Sequence, residues 1–424
     1  MISSLTRLGI GTSSVRDLSK AFKSGDESRF AELVSVVRRW IWFTGLLGAV
    51  VMLTFAPLLS RYTFGDDAHI WGYVFLSCTL LFTTLTEGER AVIQASERLR
   101  VLARCSVLGS FFALLLSLPL FYFFGISGIV PAIIAHTFSI WVVTVSLGRK
   151  MKVKPVKMSW TETYRQGKNI ASLGIYMTVS GFVTTLYSYL FVAWLNDRGG
   201  TAEVGFFQAG YTLVMQYVGL VFTAMSMEYY PRLSAVCEDK VLLSEHVTRQ
   251  VETSLLILAP VISLFLIFQN LIIHVYTPAF LAISGYISWA VLGMLFRAFS
   301  WSVSFVLLAK GAGRIFLITE IVADSLMFVM YLVGYTHWGL QGVGVAYLLA
   351  YLFSMTGIYM VCHLKFGLHI PVRMFVSLFV YSSLCYFVWL LWSNDCLAGA
   401  YSLTAFICLF TGFQLKKKIF RKSE

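Results

Sequence analysis

The sequence predicts an all-α polytopic membrane protein with about twelve transmembrane helices, arranged as two parallel-repeat helix bundles around a central cavity. Three observations predict this class. The chain is 58% hydrophobic and only 13% charged, whereas soluble domains carry about 25% charged residues. Apolar stretches of membrane-spanning length recur along the chain. The second half repeats the first at an offset of about 214 residues.

Twelve apolar segments are long enough to cross a bilayer as helices. In chain order they cover roughly residues 40–59, 69–86, 101–123, 128–147, 170–195, 205–228, 253–275, 284–308, 314–336, 340–362, 374–392 and 396–413.

Lysine and arginine are concentrated on alternate connections between these segments, which together hold 30 of the 33 cationic residues. Cationic loops stay on the cytoplasmic side of a membrane, so we expect both termini to face the cytoplasm. The net charge of +12 follows from this topology, and we expect no nucleic-acid partner. The intervening connections are too short to hold a folded domain, which argues against an enzyme with catalytic residues on large loops.

The evidence for the internal repeat comes from residues at helix ends and turns. Matches there are not explained by the chance similarity that apolar helices show to one another. Tyr62-Thr63 recurs as Tyr276-Thr277, Arg100 recurs as Arg314, and the pair Gly125 and Gly128 recurs as Gly339 and Gly342. Each repeat unit has six helices, an even number, so both halves insert in the same orientation. Two final helices lie outside both repeats.

The repeat divides the chain into four regions. We expect an N-terminal bundle over 1–150, a basic cytoplasmic linker over 151–169, a six-helix bundle over 170–365, and two extra helices with a basic tail over 366–424. The first bundle has no counterpart for two helices of the second. We therefore expect an N-terminally truncated fourteen-helix pattern, the alternative being a genuine twelve-helix protein with a re-entrant or interfacial N-terminal stretch.

The seven cysteines show no CxxC and no Cys/His spacing typical of zinc ligands. We therefore predict no disulfide, metal or cofactor.

Three charged residues lie at membrane depth, where each costs at least about 2.5 kcal/mol on insertion scales. Arg297 and Asp324 lie in the middle of consecutive segments, and Glu320 shares a helix face with Asp324. One interpretation is an acid pair beside an arginine, lining a cavity and carrying protons or cations. The alternative is an Arg297–Asp324 ion pair that only joins two helices. The first half has uncharged residues at the equivalent positions, which favours the functional interpretation.

Two cytoplasmic clusters also contain candidate residues. Lys310 and Arg314 flank a Gly-Ala-Gly turn, where cations and backbone amides could meet a pyrophosphate, although a plain hairpin turn is the alternative. Arg90 ends the stretch Thr86-Glu87-Gly88-Glu89-Arg90. A solvated helix end explains that stretch, and a gate or a headgroup contact is the other interpretation.

Four stretches have a recognisable pattern, namely FFQAGY at 206–211, QYVGL at 216–220, EYYPRLS at 228–234 and FVLLAKGAG at 305–313. They resemble stretches of bacterial polysaccharide-export flippases of the Wzx type. The resemblance implies the fold of the multidrug/oligosaccharidyl-lipid/polysaccharide exporters. It also implies alternating-access transport of an undecaprenyl-pyrophosphate-linked oligosaccharide across the bacterial inner membrane, for a surface polysaccharide such as lipopolysaccharide O-antigen.

By the same resemblance, Arg297, Lys310, Arg314 and Arg90 are candidate substrate contacts, and Asp324 and Glu320 are candidates for ion coupling. Expected partners are the lipid-linked oligosaccharide, membrane lipids, a polysaccharide polymerase and chain-length proteins. The alternatives are an ion-coupled drug or cation exporter on the same fold, a membrane glycan polymerase or acyltransferase, and a non-transporting scaffold.

Overall fold

The structure is a computed structural model that describes residues 8–150, 153, 156–215, 219–276 and 278–420, leaving aside the side chains of 275–280 and 419–420. Over these residues the chain forms twelve α-helices. They are α1 (Ile10–Lys23), α2 (Glu27–Phe64), α3 (Ile70–Ala95), α4 (Leu99–Phe124), α5 (Ile129–Arg149), α6 (Trp160–Leu213), α7 (Gly219–Val236), α8 (Lys240–Tyr276), α9 (Ser284–Ala309), α10 (Gly313–Phe366), α11 (Val372–Ser393) and α12 (Leu397–Phe420). Short 3-10 turns cover Gly125–Gly128 and Pro278–Ile283.

Helix lengths confirm the prediction of about twelve crossings. In the described parts of the chain, nine helical stretches are long and apolar enough to cross a membrane. Three of them, Leu99–Arg149, Trp160–Leu213 and Gly313–Phe366, have 51, 54 and 54 residues. A 54-residue helix spans about 80 Å, more than twice the hydrocarbon core of about 30 Å, so each of these stretches holds two crossings. The predicted segment 205–228 falls on α6 and α7, on either side of residues 216–218, which the structure does not describe.

The helix boundaries repeat at the offset found in the sequence. Helices α3 and α9 both begin and end 214 residues apart, and α4 and α10 begin 214 residues apart. Gly125 (φ 53°) follows α4, and Gly339 (φ 57°) interrupts α10 at the equivalent position. A residue with a side chain rarely adopts this φ, which explains why glycine occupies both positions. Thr277, part of the repeated Tyr-Thr pair, lies outside the described residues.

The chain divides into two compact units. The first comprises Met1–Phe182 with Tyr230–Ala235 and Leu308–Leu317. Within it, α2 packs along α3, α4 packs along α5, and α1 contacts both α2 and α3. Asp26 caps α2 by accepting a 2.8 Å hydrogen bond from the backbone N–H of Arg29.

The second unit contains the remaining residues. Helices α8 and α9 supply fully buried side chains to its core, including Leu255, Ile262, Val291 and Leu295. The final helices α11 and α12 pack on α8 and on each other. Lys418 near the end of α12 forms a 2.6 Å ion pair with Glu252 of α8. These contacts fix the two extra helices to the second unit.

Candidate functional site

A cavity of about 140 Å³ within the second unit contains two of the predicted site residues. Three helices form it: α6 on both sides of its break at Gly200, the middle of α9, and α10 on both sides of its break at Gly339. Arg297 and Asp324 line the cavity, which we call the Arg297 cavity. Glu320 lies on α10 one turn before Asp324 and is not among the described residues lining the cavity.

The Arg297 guanidinium is held by neutral groups. Its Nη1 donates a 3.1 Å hydrogen bond to the hydroxyl of Tyr347 and lies 2.6 Å from Sδ of Met215. Its Cζ lies 5.5 Å from the ring centroid of Phe222 and 5.6 Å from that of Tyr351, which is cation–π distance. Among the described residues, no carboxylate oxygen lies within 4.0 Å of this guanidinium. The positive charge is therefore stabilised without being neutralised.

Asp324 is held by a partner of its own. Its Oδ2 accepts a 2.7 Å hydrogen bond from the hydroxyl of Thr184 on α6. The next residue on α10, Ser325, shares a 2.7 Å hydrogen bond with the hydroxyl of Tyr187. Helices α6 and α10 are therefore joined by two adjacent polar contacts, and the direct Arg297–Asp324 ion pair considered from the sequence does not form.

The arrangement follows from helical periodicity. Met327, Phe328 and Tyr331 lie three, four and seven residues after Asp324, so the four side chains share one face of α10. Tyr347 and Tyr351 are four residues apart on the second part of the same helix. Because these faces converge, one cation and one carboxylate lie among aromatic rings and hydroxyl groups, a lining that can bind an anionic group and a small cation.

Sequence reasoning missed the uncharged members of this lining. They include Thr184, Tyr187, Tyr211, Met215, Tyr331, Tyr347 and Tyr351. A signal was present, since Tyr347 and Tyr351 repeat at helical spacing within an apolar segment. Gln216, a polar residue in the stretch that carries the family resemblance, lies outside the described residues.

The other candidate residues, Lys310, Arg314 and Arg90, belong to the first unit. Lys310 and Arg314 flank a turn at Gly311 (φ 71°), and the guanidinium of Arg16 lies directly against Gly311. Arg314 is exposed, and Lys310 is half-buried. Arg90 is half-buried, and its Nε is buried without a hydrogen-bond partner among the described residues. Over the described residues, no group of three or more His, Cys, Asp or Glu side chains could hold a metal ion.

Comparison with solved structures identifies the fold. The chain superposes on a point mutant of a MATE protein with a TM-score of 0.76 at 14% identity, covering 86% of this chain and 85% of that one. An outward-facing multidrug resistance MATE family transporter of the MOP superfamily gives 0.74 at 15% identity, covering 86% and 84%. The Vibrio cholerae MATE transporter VcmN in its bent form gives 0.72 at 15% identity, covering 90% and 87%. At these identities the likeness establishes the fold.

Fold and composition thus define a polytopic α-helical membrane protein with the fold of MATE transporters of the MOP superfamily. Residues 27–284 match the sequence profile of the family described as "Polysaccharide biosynthesis protein". This match covers more than half of the chain, so the protein belongs to that family. The family resemblance inferred from the sequence motifs is therefore confirmed. No curated protein matches the chain.

Proposed function

We propose that this protein is a flippase that moves an undecaprenyl-pyrophosphate-linked oligosaccharide across the bacterial inner membrane by alternating access, for surface polysaccharide synthesis. Its membership of the polysaccharide biosynthesis family carries the proposal. The MATE-like fold supplies a transporter framework for a hydrophilic glycan that must cross about 30 Å of hydrocarbon. The distribution of lysine and arginine supports an orientation with both termini in the cytoplasm.

Within this function, Arg297 contacts an anionic group of the cargo, either the pyrophosphate or an acidic sugar. Its charge has no described carboxylate partner within 4.0 Å, so an incoming anion would not have to displace one. The cavity volume of about 140 Å³ is below the roughly 300–1,000 Å³ typical of pockets that enclose drug-sized ligands. It suits one charged group of the cargo rather than a whole oligosaccharide.

Asp324 and Glu320 are proposed to couple transport to a proton or a cation. Asp324 supports this role because it lines the Arg297 cavity and its hydrogen bond from Thr184 involves only one carboxylate oxygen. Glu320 lies one turn away on the same helix. Lys310, Arg314 and Arg90 remain proposed cargo contacts at the cytoplasmic side, where the cargo enters. A polysaccharide polymerase and chain-length proteins are the proposed partners after transport.

Deletion of the gene tests the proposed function. The deletion strain should lose one surface glycan and accumulate its lipid-linked unit on the cytoplasmic leaflet, and the wild-type gene should restore both. Arg297→Ala should fail to restore surface glycan while the protein reaches its normal level in the membrane. Arg198→Ala is a matched control, because Arg198 is exposed, lies over the ring of Trp194 and is not among the described residues lining the cavity. Wild-type glycan in the deletion strain would refute the flippase proposal.

A second candidate function is export of drugs or organic cations. It is favoured by the superposition on a multidrug resistance MATE transporter, and a cavity rich in tyrosine rings suits aromatic cations. Cells expressing the protein would then show lower accumulation of ethidium than cells carrying an empty vector. Unchanged ethidium accumulation together with loss of surface glycan in the deletion strain would exclude this alternative.

A further inference from the structure

A second cavity, of about 230 Å³, lies wholly within the first unit. We call it the Arg38 pocket. Two of its lining residues, Arg38 of α2 and Glu89 of α3, form two parallel hydrogen bonds, Arg38 Nε to Oε1 at 2.7 Å and Nη2 to Oε2 at 2.9 Å. A Cβ atom built at Gly148 of α5 would lie 3.3 Å from Oε2 of Glu89. Three helices therefore converge on one carboxylate.

The pocket retains one uncompensated positive charge. The Arg38–Glu89 pair is neutral as a unit, and the Glu89 side chain is only 13% exposed. Arg149, at the end of α5, also lines the pocket and is exposed. It forms no hydrogen bond or ion pair with any residue that the structure describes. Its N–H donors can therefore bind an anion, and a guanidinium binds phosphate oxygens in a bidentate manner.

An apolar surface leads away from the pocket along α2. Trp42 lines the pocket, and Leu46, Val50 and Leu53 follow it at spacings of four, four and three residues, on one face of the helix. These four side chains are between 42% and 56% exposed, which is the behaviour of a face in contact with hydrocarbon. Trp141 adds a second indole to the pocket, and indoles favour the membrane–water interface. The surface thus offers a cation at one end and a hydrocarbon track at the other.

The second half of the chain lacks this pair of cations. At the 214-residue offset, Arg38 and Arg149 correspond to Glu252 and His363. The position of Arg38 is thus occupied in the second half by an acidic residue, Glu252, which forms an ion pair with Lys418 of α12. The repeat alone therefore does not account for the Arg38 pocket.

We propose that the Arg38 pocket binds a lipid that carries an anionic phosphate ester, with the phosphate at Arg149 and the chain along Trp42, Leu46, Val50 and Leu53. The source is an anionic phospholipid of the cytoplasmic leaflet, because basic pockets between transmembrane helices on that side bind such headgroups. A polyprenyl phosphate offers the same chemistry and is the competing source. The proposal rests on the orientation predicted from the lysine and arginine distribution, with the termini in the cytoplasm, and it does not depend on the flippase function.

Native mass spectrometry of the purified full-length protein tests the proposal. The probes are phosphatidylglycerol, phosphatidylcholine with the same acyl chains, and undecaprenyl phosphate. Wild-type protein should retain phosphatidylglycerol in preference to phosphatidylcholine, a comparison that needs no variant. Arg149→Gln should retain phosphatidylglycerol about fivefold more weakly, and Arg149→Lys should retain it at an intermediate level, because lysine keeps the charge but not the bidentate donors. Arg61→Gln is the control, since Arg61 lies at the opposite end of α2 and is 68% exposed.

Each outcome decides a separate point. Equal retention of both phospholipids by wild type, or equal loss in Arg149→Gln and Arg61→Gln, overturns the site. One-for-one displacement of phosphatidylglycerol by undecaprenyl phosphate, abolished in Arg149→Gln, overturns the phospholipid assignment in favour of the prenyl lipid. Retention that undecaprenyl phosphate leaves unchanged supports the bilayer lipid. Loss of surface glycan in the deletion strain changes none of these outcomes, so the two proposals fail separately.

Discussion

The guanidinium of Arg297 donates a 3.1 Å hydrogen bond to the hydroxyl of Tyr347, a residue that is only 2% exposed. Arg297 is thus positioned by a neutral buried group from the second part of α10. Hydrogen bonds to charged groups contribute about 1.5–3 kcal/mol. The position of the charge in the Arg297 cavity therefore depends on a tyrosine hydroxyl that no charge pattern in the sequence reveals.

Tyr347→Phe should lower surface glycan output roughly tenfold, because the ring remains while the hydrogen bond to Arg297 is lost. The measurement is surface glycan in the complemented deletion strain, normalised to protein in the membrane. Tyr381→Phe is the control, since Tyr381 is also buried but lies on α11 and is not among the described residues lining the cavity. Equal output from the two variants would show that Tyr347 does not position Arg297 for transport.

Asp324→Asn should reduce glycan output roughly tenfold, within the range of typical coupling free energies. Asparagine keeps the side-chain size and can still accept the hydrogen bond from Thr184 but carries no negative charge. The residual output should no longer respond to a protonophore or to removal of sodium, whereas wild-type output should respond to one of them. Glu320→Gln should have a smaller effect because Glu320 does not belong to the described lining. Wild-type output and wild-type ion response in Asp324→Asn would exclude ion coupling at this carboxylate.

The sequence was sufficient for much of the fold. Hydropathy located the crossings, and the repeated glycines placed the breaks that end α4 and interrupt α10. These features are local, since each depends on the composition of one segment. The convergence of Thr184, Arg297 and Tyr347 in one cavity depends instead on how three helices pack. Periodicity shows which residues share a helix face but not which faces meet, so Arg297 was found by its charge and its neutral partners were missed.

Arg38→Gln should lower the stability of the protein by about 2–3 kcal/mol, measured as a reduced melting temperature in detergent. The value lies between the cost of breaking buried ion pairs and that of breaking exposed ones, because Glu89 is left 13% exposed without its partner. The double variant Arg38→Gln/Glu89→Gln should recover part of the loss. Arg61→Gln is the control. Arg61 lies on the same helix as Arg38 and also forms two hydrogen bonds with one carboxylate, that of Asp67, but both side chains are more than half exposed. No measurable change in melting temperature is therefore expected for this variant. Equal melting temperatures for Arg38→Gln and Arg61→Gln would contradict a structural role for the Arg38–Glu89 pair.

Gly128→Ala and Gly342→Ala, at equivalent positions of the repeat, should destabilise the protein by similar amounts. A Cβ at Gly128 would overlap the carbonyl oxygen of Leu120, and a Cβ at Gly342 would overlap that of Gly334, again 214 residues on. Overpacking of this kind costs about 1–3 kcal/mol. Gly357→Ala is the matched control on α10, because nothing lies within 4 Å of a Cβ there and alanine favours the helix by about 1 kcal/mol. Melting temperatures of the purified variants should therefore fall for the first two and stay level or rise for the third. If Gly342→Ala has the same melting temperature as Gly357→Ala, the two parts of α10 on either side of Gly339 do not depend on glycine for their close approach.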